Sequence, residues 1–239
     1  MAAAIRFSKG NLLLHALAPS DRAALEPHLI PAVFRLRQSL ERPNRRIDDV
    51  YFPDTGIVSI VALHPDGNRV EIGIIGCEGA TGSAAMLGAE RSPHEAYIQA
   101  AGAGQQIPVA VLLAAMEASR SLNGLMLRFV QAFMVQTAHT AVANARAKLA
   151  ERLARWLLMA HDRLPGNDLP LTHEFLALMM GVRRAGVTEA LQELSGRRLI
   201  RARRGSITIL NRKTIESIAG KYYGTPEAEY RRLMSAAAA

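Results

Sequence analysis

Arg183 and Arg184 are followed by Thr188 and Glu189, and then by Arg197, Arg198, Arg201, Arg203 and Arg204. This set suits recognition rather than bond making. A guanidinium stays charged, and its planar fork matches a phosphate or the outer edge of guanine. A threonine can take a base edge or a thymine methyl. The charge is local. Residues 171–213 hold nine basic and three acidic side chains, a net +6, whereas residues 1–110 hold ten and eleven, a net −1. Most of the formal charge of +8 therefore sits in one segment. A polyanion selects such a field, because neutralised phosphates release condensed counterions. A solvated arginine-rich face is the bland alternative.

Other reactive residue types are sparse. Cys77 is the only cysteine, so neither an internal disulfide nor an all-cysteine metal or iron–sulfur site is available. It reads as a small packing residue, although a thiol in a glycine-rich loop can sense oxidants. His64 lies in a turn, His94 follows Pro93, and His139 and His161 fall in helical segments. No His-x-His spacing supports a cupin-like metal enzyme, so no metal, cofactor or catalytic role is expected. The first residues lack an apolar core of signal-peptide length, and charge breaks every apolar run well short of about 18 residues. A cytoplasmic protein without a membrane span is expected.

The elements that must position the arginines follow from periodicity. Thr172 reads as an N-cap, and Phe175, Leu176 and Met179 give a first helix its apolar face. Gly181 ends that helix, and a second runs from Arg183 to Leu194, buried through Val187, Leu191 and Leu194. Gly196 stops it. Residues 197–202 and 206–210 then pair across Arg203-Arg204-Gly205 as a wing. A helix whose first turn projects from the protein fits the major groove. That assigns base reading to Arg183, Arg184, Thr188 and Glu189. Phosphate contact falls to Thr172, Arg197, Arg198, Arg201, Arg203 and Arg204.

Upstream, residues 11–29 read as a short helix whose second part opens at Pro19-Ser20-Asp21. Residues 32–110 alternate short apolar stretches with turn signals, among them Pro53-Asp54-Thr55-Gly56 and Gly102-Ala103-Gly104. Residues 57–63 and 69–75 flank Pro65-Asp66-Gly67-Asn68 as a β-hairpin, and the whole region suggests a small antiparallel roll. From about 109 to 163 the pattern is helical. Leu122, Leu125, Phe129, Phe133, Gln136 and Thr140 form a stripe on a helix of about 25 residues, nearly 40 Å long. Burial against a twin helix explains both length and stripe, which makes these six the expected dimer interface. A helix packed only within its own chain is the alternative. Pro165-Gly166-Asn167-Asp168 is a turn or hinge, and Ala236–Ala239 reads as a frayed end.

The stretch from Leu171 to Leu194 resembles the helix-turn-helix of the Crp/Fnr family of bacterial transcription regulators, in spacing, turn glycine and apolar positions. The resemblance implies an α+β chain. Residues 1–118 would form a cyclic-nucleotide-binding-like β-roll, 119–164 a dimerisation helix with a connector helix, and 165–239 a winged helix-turn-helix. It also implies a homodimer on an imperfect palindrome of double-stranded DNA, with RNA polymerase as a further partner if the protein activates. Arg184 falls where the family has a base-reading arginine. Arg183 replaces a frequent serine cap, Ala185 an acidic reader and Glu189 a second arginine, so a different DNA sequence is expected. In the roll, Thr81, Gly82, Arg91 and Ser92 fall at effector-binding positions. Arg91-Ser92 matches the phosphate-binding pair, but Thr81 stands where a ribose-binding glutamate belongs. The expectation is no cyclic nucleotide or an unidentified ligand; a cyclic-nucleotide receptor is the alternative, with Glu90 or Glu95 as a simple ion-pair partner for Arg91.

Overall fold

The computed structural model describes residues 10–64, 66–67 and 69–235. The first residues read for a signal peptide, Pro65 and Asn68 of the expected turn, and Ala236–Ala239 lie outside the described residues.

Asn11 starts the described chain's first helix and ties it down. Its side-chain oxygen accepts from the amides of Leu13 and Leu14, and its amide donates to the carbonyls of Pro53 and Gly79, each at 2.8 Å. Residues 11–29 are not one helix but α1 (Leu12–His15), α2 (Pro19–Leu25) and a 3₁₀ turn at Glu26–His28. Pro19 has no amide proton to donate and restricts the residue before it, so the helix restarts there.

The roll consists of β1 (Ile30–Phe34), β2 (Ser39–Glu41), β3 (Asp49–Pro53), β4 (Ile57–Leu63), β5 (Arg69–Ile75), β6 (Glu95–Ala100) and β7 (Gly102–Pro108), with a short α3 (Ser83–Met86). Two antiparallel sheets result, ordered β1-β7-β3 and β2-β6-β4-β5. The hairpin of β4 and β5 forms as expected. Gly102 and Gly104 are not turn residues: both lie in β7. A Cβ at either would sit 2.2 Å from a backbone oxygen, that of Thr55 or Phe52, so glycine serves close backbone approach.

Helix α4 (Val109–Ala118) leads into α5 (Arg120–Arg146), then α6 (Leu149–Arg163). The expected dimer stripe requires correction. Leu122 (1% exposed) and Phe129 (3%) are buried with Leu125 against the chain's own roll. Phe133 packs on that core, its ring so close to Gly73 that a Cβ there would be 2.8 Å away. Gln136 accepts from the Ile74 amide at 2.8 Å and donates to its carbonyl at 3.1 Å. Thr140 donates to the Gln136 carbonyl and accepts from Arg155. The periodicity located a buried face; it could not say that the roll, not a second helix, buries it. A different apolar face points outward. Leu127 (38% exposed), Met134 (56%) and Val142 (50%) lie on it, with Gln131, Ala138, Ala141 and Ala145 also exposed.

The C-terminal unit comprises β8 (Asp168–Leu169), α7 (His173–Met180), α8 (Arg184–Gly196), β9 (Ile200–Arg203), β10 (Ser206–Ile209) and α9 (Arg212–Ala219). The strands form one sheet, β8-β10-β9. This unit and α6 share one hydrophobic core, which Ile57, Ile74 and Ala100 of the roll also enter. The last helix, α10 (Thr225–Ser235), departs from the expected grouping of 165–239. It packs along α5, and its Tyr230 joins the roll core and donates to the Glu78 carbonyl at 2.8 Å.

Candidate nucleic-acid interface

Thr172 caps α7, its hydroxyl oxygen accepting from the Phe175 amide at 3.1 Å. Gly181 takes the left-handed conformation (φ 60°) that ends α7 and turns the chain into α8. In α8, Val187, Ala190, Leu191 and Leu194 face the core. That leaves Arg184, Ala185, Glu189 and Gln192 exposed on the opposite face, with Arg183 exposed at the N-cap. Gln192, not singled out from sequence, follows Thr188 by one helical turn; the i, i+4 step was the available signal.

Thr188 is half-buried and occupied. Its hydroxyl donates to the Arg184 carbonyl at 3.0 Å and lies 3.2 Å from Nδ1 of His173. A further partner must compete with these bonds, whereas the side chains of Arg183, Arg184, Glu189 and Gln192 are exposed.

The wing is tighter than expected. Arg203 lies in β9 opposite Ser206, leaving Arg204 and Gly205 (φ 78°) as a two-residue turn. Arg198 holds a positive φ of 56° just beyond α8, a conformation that disfavours any side chain but glycine's absence of one. Arg197, Arg198, Arg201, Arg203 and Arg204 are all exposed, as is Thr172. Arg197 makes a loose 3.8 Å ion pair with Glu193, worth little at the surface. Among the described residues, Arg183, Arg184, Arg198, Arg201, Arg203 and Arg204 form no ion pair. Arg212 differs. It is drawn inward to Asp162 (2.7 Å), Glu216 (2.8 Å) and the Tyr223 hydroxyl (2.7 Å), so its charge is already spent.

Three of the four effector positions are engaged by local hydrogen bonds of the roll. Thr81 is buried, its hydroxyl oxygen accepting from the Tyr51 amide at 3.0 Å. The Gly82 amide donates to Glu41 at 2.7 Å, and burial pushes that carboxyl above its ordinary range. Ser92 accepts from the His94 amide at 3.1 Å. Arg91 is exposed and bridges to Arg46 through the backbone; Glu95 is taken by Arg69, not by Arg91. Among the described residues no three His, Cys, Asp or Glu side chains converge as metal ligands, and no helix is long and apolar enough to cross a membrane.

Comparison with known proteins places this geometry. Residues 151–218 match the model of the Crp-like helix-turn-helix domain. No curated protein matches the chain by sequence. Among solved structures, a transcriptional regulator of the Crp/Fnr family from Eubacterium rectale is 17% identical, with a TM-score of 0.68 over 87% of this chain and 97% of its own. FixK2 from Bradyrhizobium japonicum is 16% identical, with a TM-score of 0.70 over 80% and 98%. The c-di-GMP-responsive regulator CLP of Xanthomonas campestris is 18% identical, with a TM-score of 0.63 over 80% and 99%. Residues 151–218 thus form a Crp-like helix-turn-helix domain, and the chain as a whole has the fold of the Crp/Fnr transcription regulators.

Proposed function

We propose that the protein is a cytoplasmic, homodimeric transcription regulator that reads duplex DNA with the first turn of α8 and holds its backbone with the wing. One observation carries this reading. Six exposed guanidiniums without a carboxylate partner flank the start of α8 and line the wing, on a unit seated on a large hydrophobic core. Arg183 and Arg184, with Glu189 and Gln192, supply the base-reading groups; Thr172, Arg197, Arg198, Arg201, Arg203 and Arg204 supply phosphate contacts.

The outward face of α5 supports the dimer. Leu127, Gln131, Met134, Ala138, Ala141 and Ala145 recur at alternating steps of four and three, the spacing of a coiled-coil seam. A second copy of α5 is the occupant proposed for it, since small alanines toward the C-terminal end allow close helix approach. Two such protomers place two recognition helices about 34 Å apart, on an imperfect palindrome. RNA polymerase is the further partner if the outcome is activation.

The roll is proposed to act without a cyclic nucleotide. Thr81 brings no carboxylate to a ribose, and Glu41 already holds the Gly82 amide. Fluorescence anisotropy with a palindromic and a scrambled duplex tests the DNA reading; absence of binding to both at low ionic strength overturns it. A thermal-shift titration with cyclic AMP and cyclic GMP tests the roll. No saturable shift is expected; a shift lost in Arg91→Ala would restore the receptor alternative.

A further inference from the structure

Two carboxylates of the roll, seven residues apart, are held by two side chains of α6, also seven residues apart. Trp156 Nε1 donates to Glu71 Oε1 at 2.6 Å, and Arg163 Nε and Nη2 both donate to Glu78 Oε1 at 2.7 Å. All four side chains are buried. Seven residues is close to two helical turns, so both donors project from one face of α6. Gly76 lets that face approach: a Cβ there would meet Arg163 at 2.7 Å. The helix-turn-helix is seated on the same sheet. Met179 of α7 places its sulfur 3.4 Å from Ser59 Oγ and 3.5 Å from the Tyr97 hydroxyl, and Arg152 of α6 donates to the Met180 carbonyl.

We propose that this two-point clamp is a conformational latch: it holds the reading head docked on the roll, and loss of a proton from Glu71 frees the head to reorient. The proposal rests on the DNA-binding reading for its purpose but not for its test. Ser59 is the coupling element. Its hydroxyl carries one proton and faces Glu71 Oε2 at 2.5 Å and Met179 Sδ at 3.4 Å, with the Tyr97 hydroxyl as a third neighbour. When Glu71 is protonated, its own O–H donates to Ser59 Oγ, and Ser59 donates onward to Met179. When Glu71 is ionised, Ser59 must turn its proton to the carboxylate, and α7 loses that contact. The same proton thus decides both the charge buried in the seam and one of the bonds across it.

Burial raises the Glu71 pKa from 4.5 to about 7, against the lowering effect of Ser59, Trp156, Arg155 and Arg163. The groups facing it are few. From α6 come Arg155 and Arg163, with Arg152 in the same cavity; α5 contributes Thr140 and Asn144, and α7 contributes Met179 and Met180. From β6 comes Tyr97, held neutral with its pKa raised to about 12, near Arg37 and Arg69. Gln99, at the bulge of β6 opposite Ile57 and Val58, is buried with neither amide atom hydrogen-bonded.

The moving unit has joints at both ends. Ala147 and Lys148 are extended between α5 and α6. At the other end Gly220 (φ 53°) and Gly224 (φ 109°) separate α9 from α10, which stays on α5. An acid whose docked pKa lies above its free value favours docking most below the free value. That advantage falls as pH rises through the window from 4.5 to about 7, then levels off. The docked-to-open ratio is expected to fall about tenfold per pH unit inside the window.

Energy transfer between dyes on Leu87→Cys in the roll and Leu210→Cys beside the wing, both exposed positions, reads the opening without DNA; the native Cys77 is buried. The wild type should shift toward longer separations between pH 5 and 7 and change little above. Glu71→Gln, isosteric and uncharged, should stay docked throughout, and Ser59→Ala should weaken docking at low pH. An unchanged separation in the wild type, or an identical pH response in Glu71→Gln, overturns the latch. Opening with pH in a protein that ignores DNA would keep the latch and remove the DNA reading; DNA binding without pH-dependent opening would do the reverse.

Discussion

Arg203→Ala and Arg184→Ala should separate grip from reading. Four wing-side guanidiniums, Arg198, Arg201, Arg203 and Arg204, have no acidic partner, which makes eight in the proposed dimer. Eight neutralised phosphates give a slope of log affinity on log salt of about −7, and removing Arg203 from both protomers lowers it to about −5. Over a fourfold rise in salt the wild type should lose about 10⁴ in affinity and the variant about 10³, equally on specific and random duplexes. Arg184→Ala should instead cost about 1–3 kcal/mol, roughly 5- to 150-fold, for one base pair in each half-site of the specific duplex, and little on random DNA. Anisotropy titrations at four salt concentrations on both duplexes resolve the two effects. Equal losses from both variants on both duplexes would refute the division of roles.

Four further outcomes are expected. Met134→Glu on the outward face of α5 should remove about 2 kcal/mol of apolar burial per protomer and weaken the dimer by about 10³ in analytical ultracentrifugation, whereas Leu122→Ala should cost about 2–5 kcal/mol of stability and leave the dimer constant unchanged. Gly79→Ala should cost about 1–3 kcal/mol in thermal melts, because its Cβ would lie 2.2 Å from the Phe129 ring. Arg163→Met should cost about 3–5 kcal/mol by stranding Glu78, and Glu78→Gln in the same chain should recover part of it in urea unfolding. Asp162 has its carboxyl raised from 3.8 to about 6 by burial, against the pull of Arg212 and Tyr223. Its stabilising contribution is complete below pH 3.8 and falls as pH rises through about 6, so the stability of wild type relative to Asp162→Asn should decline across that window and stay flat above it.

The reading head was legible because its signals are local. Thr172, Gly181 and Gly205 mark a cap, a turn and a hairpin through backbone conformation alone, and the spacing of Val187, Leu191 and Leu194 fixes which way Arg184 points. The hairpin of β4 and β5 was legible for the same reason. Signals that depend on a distant partner were not. Both faces of α5 are apolar, so periodicity found Leu122 and Phe129 without revealing that the roll covers them and leaves Met134 outside. Gly102 and Gly104 looked like turn residues because nothing local shows the backbone oxygens of Thr55 and Phe52 pressing on them. Arg212 counted toward the basic segment until Asp162, 50 residues away, claimed it. Glu71 and Glu78 carry no motif; they gain meaning only when α6 lays Trp156 and Arg163 over them.

The claim on which the rest depends is that the first turn of α8 reads duplex DNA. Selection of bound sequences from a randomised duplex pool, run in parallel with wild type and Arg184→Ala, tests it most directly. The wild type should enrich an inverted repeat with half-site centres about 10 base pairs apart, and the variant should lose preference at one symmetric position in each half-site. Absence of enrichment by the wild type, or the same repeat recovered unaltered by Arg184→Ala, would contradict it.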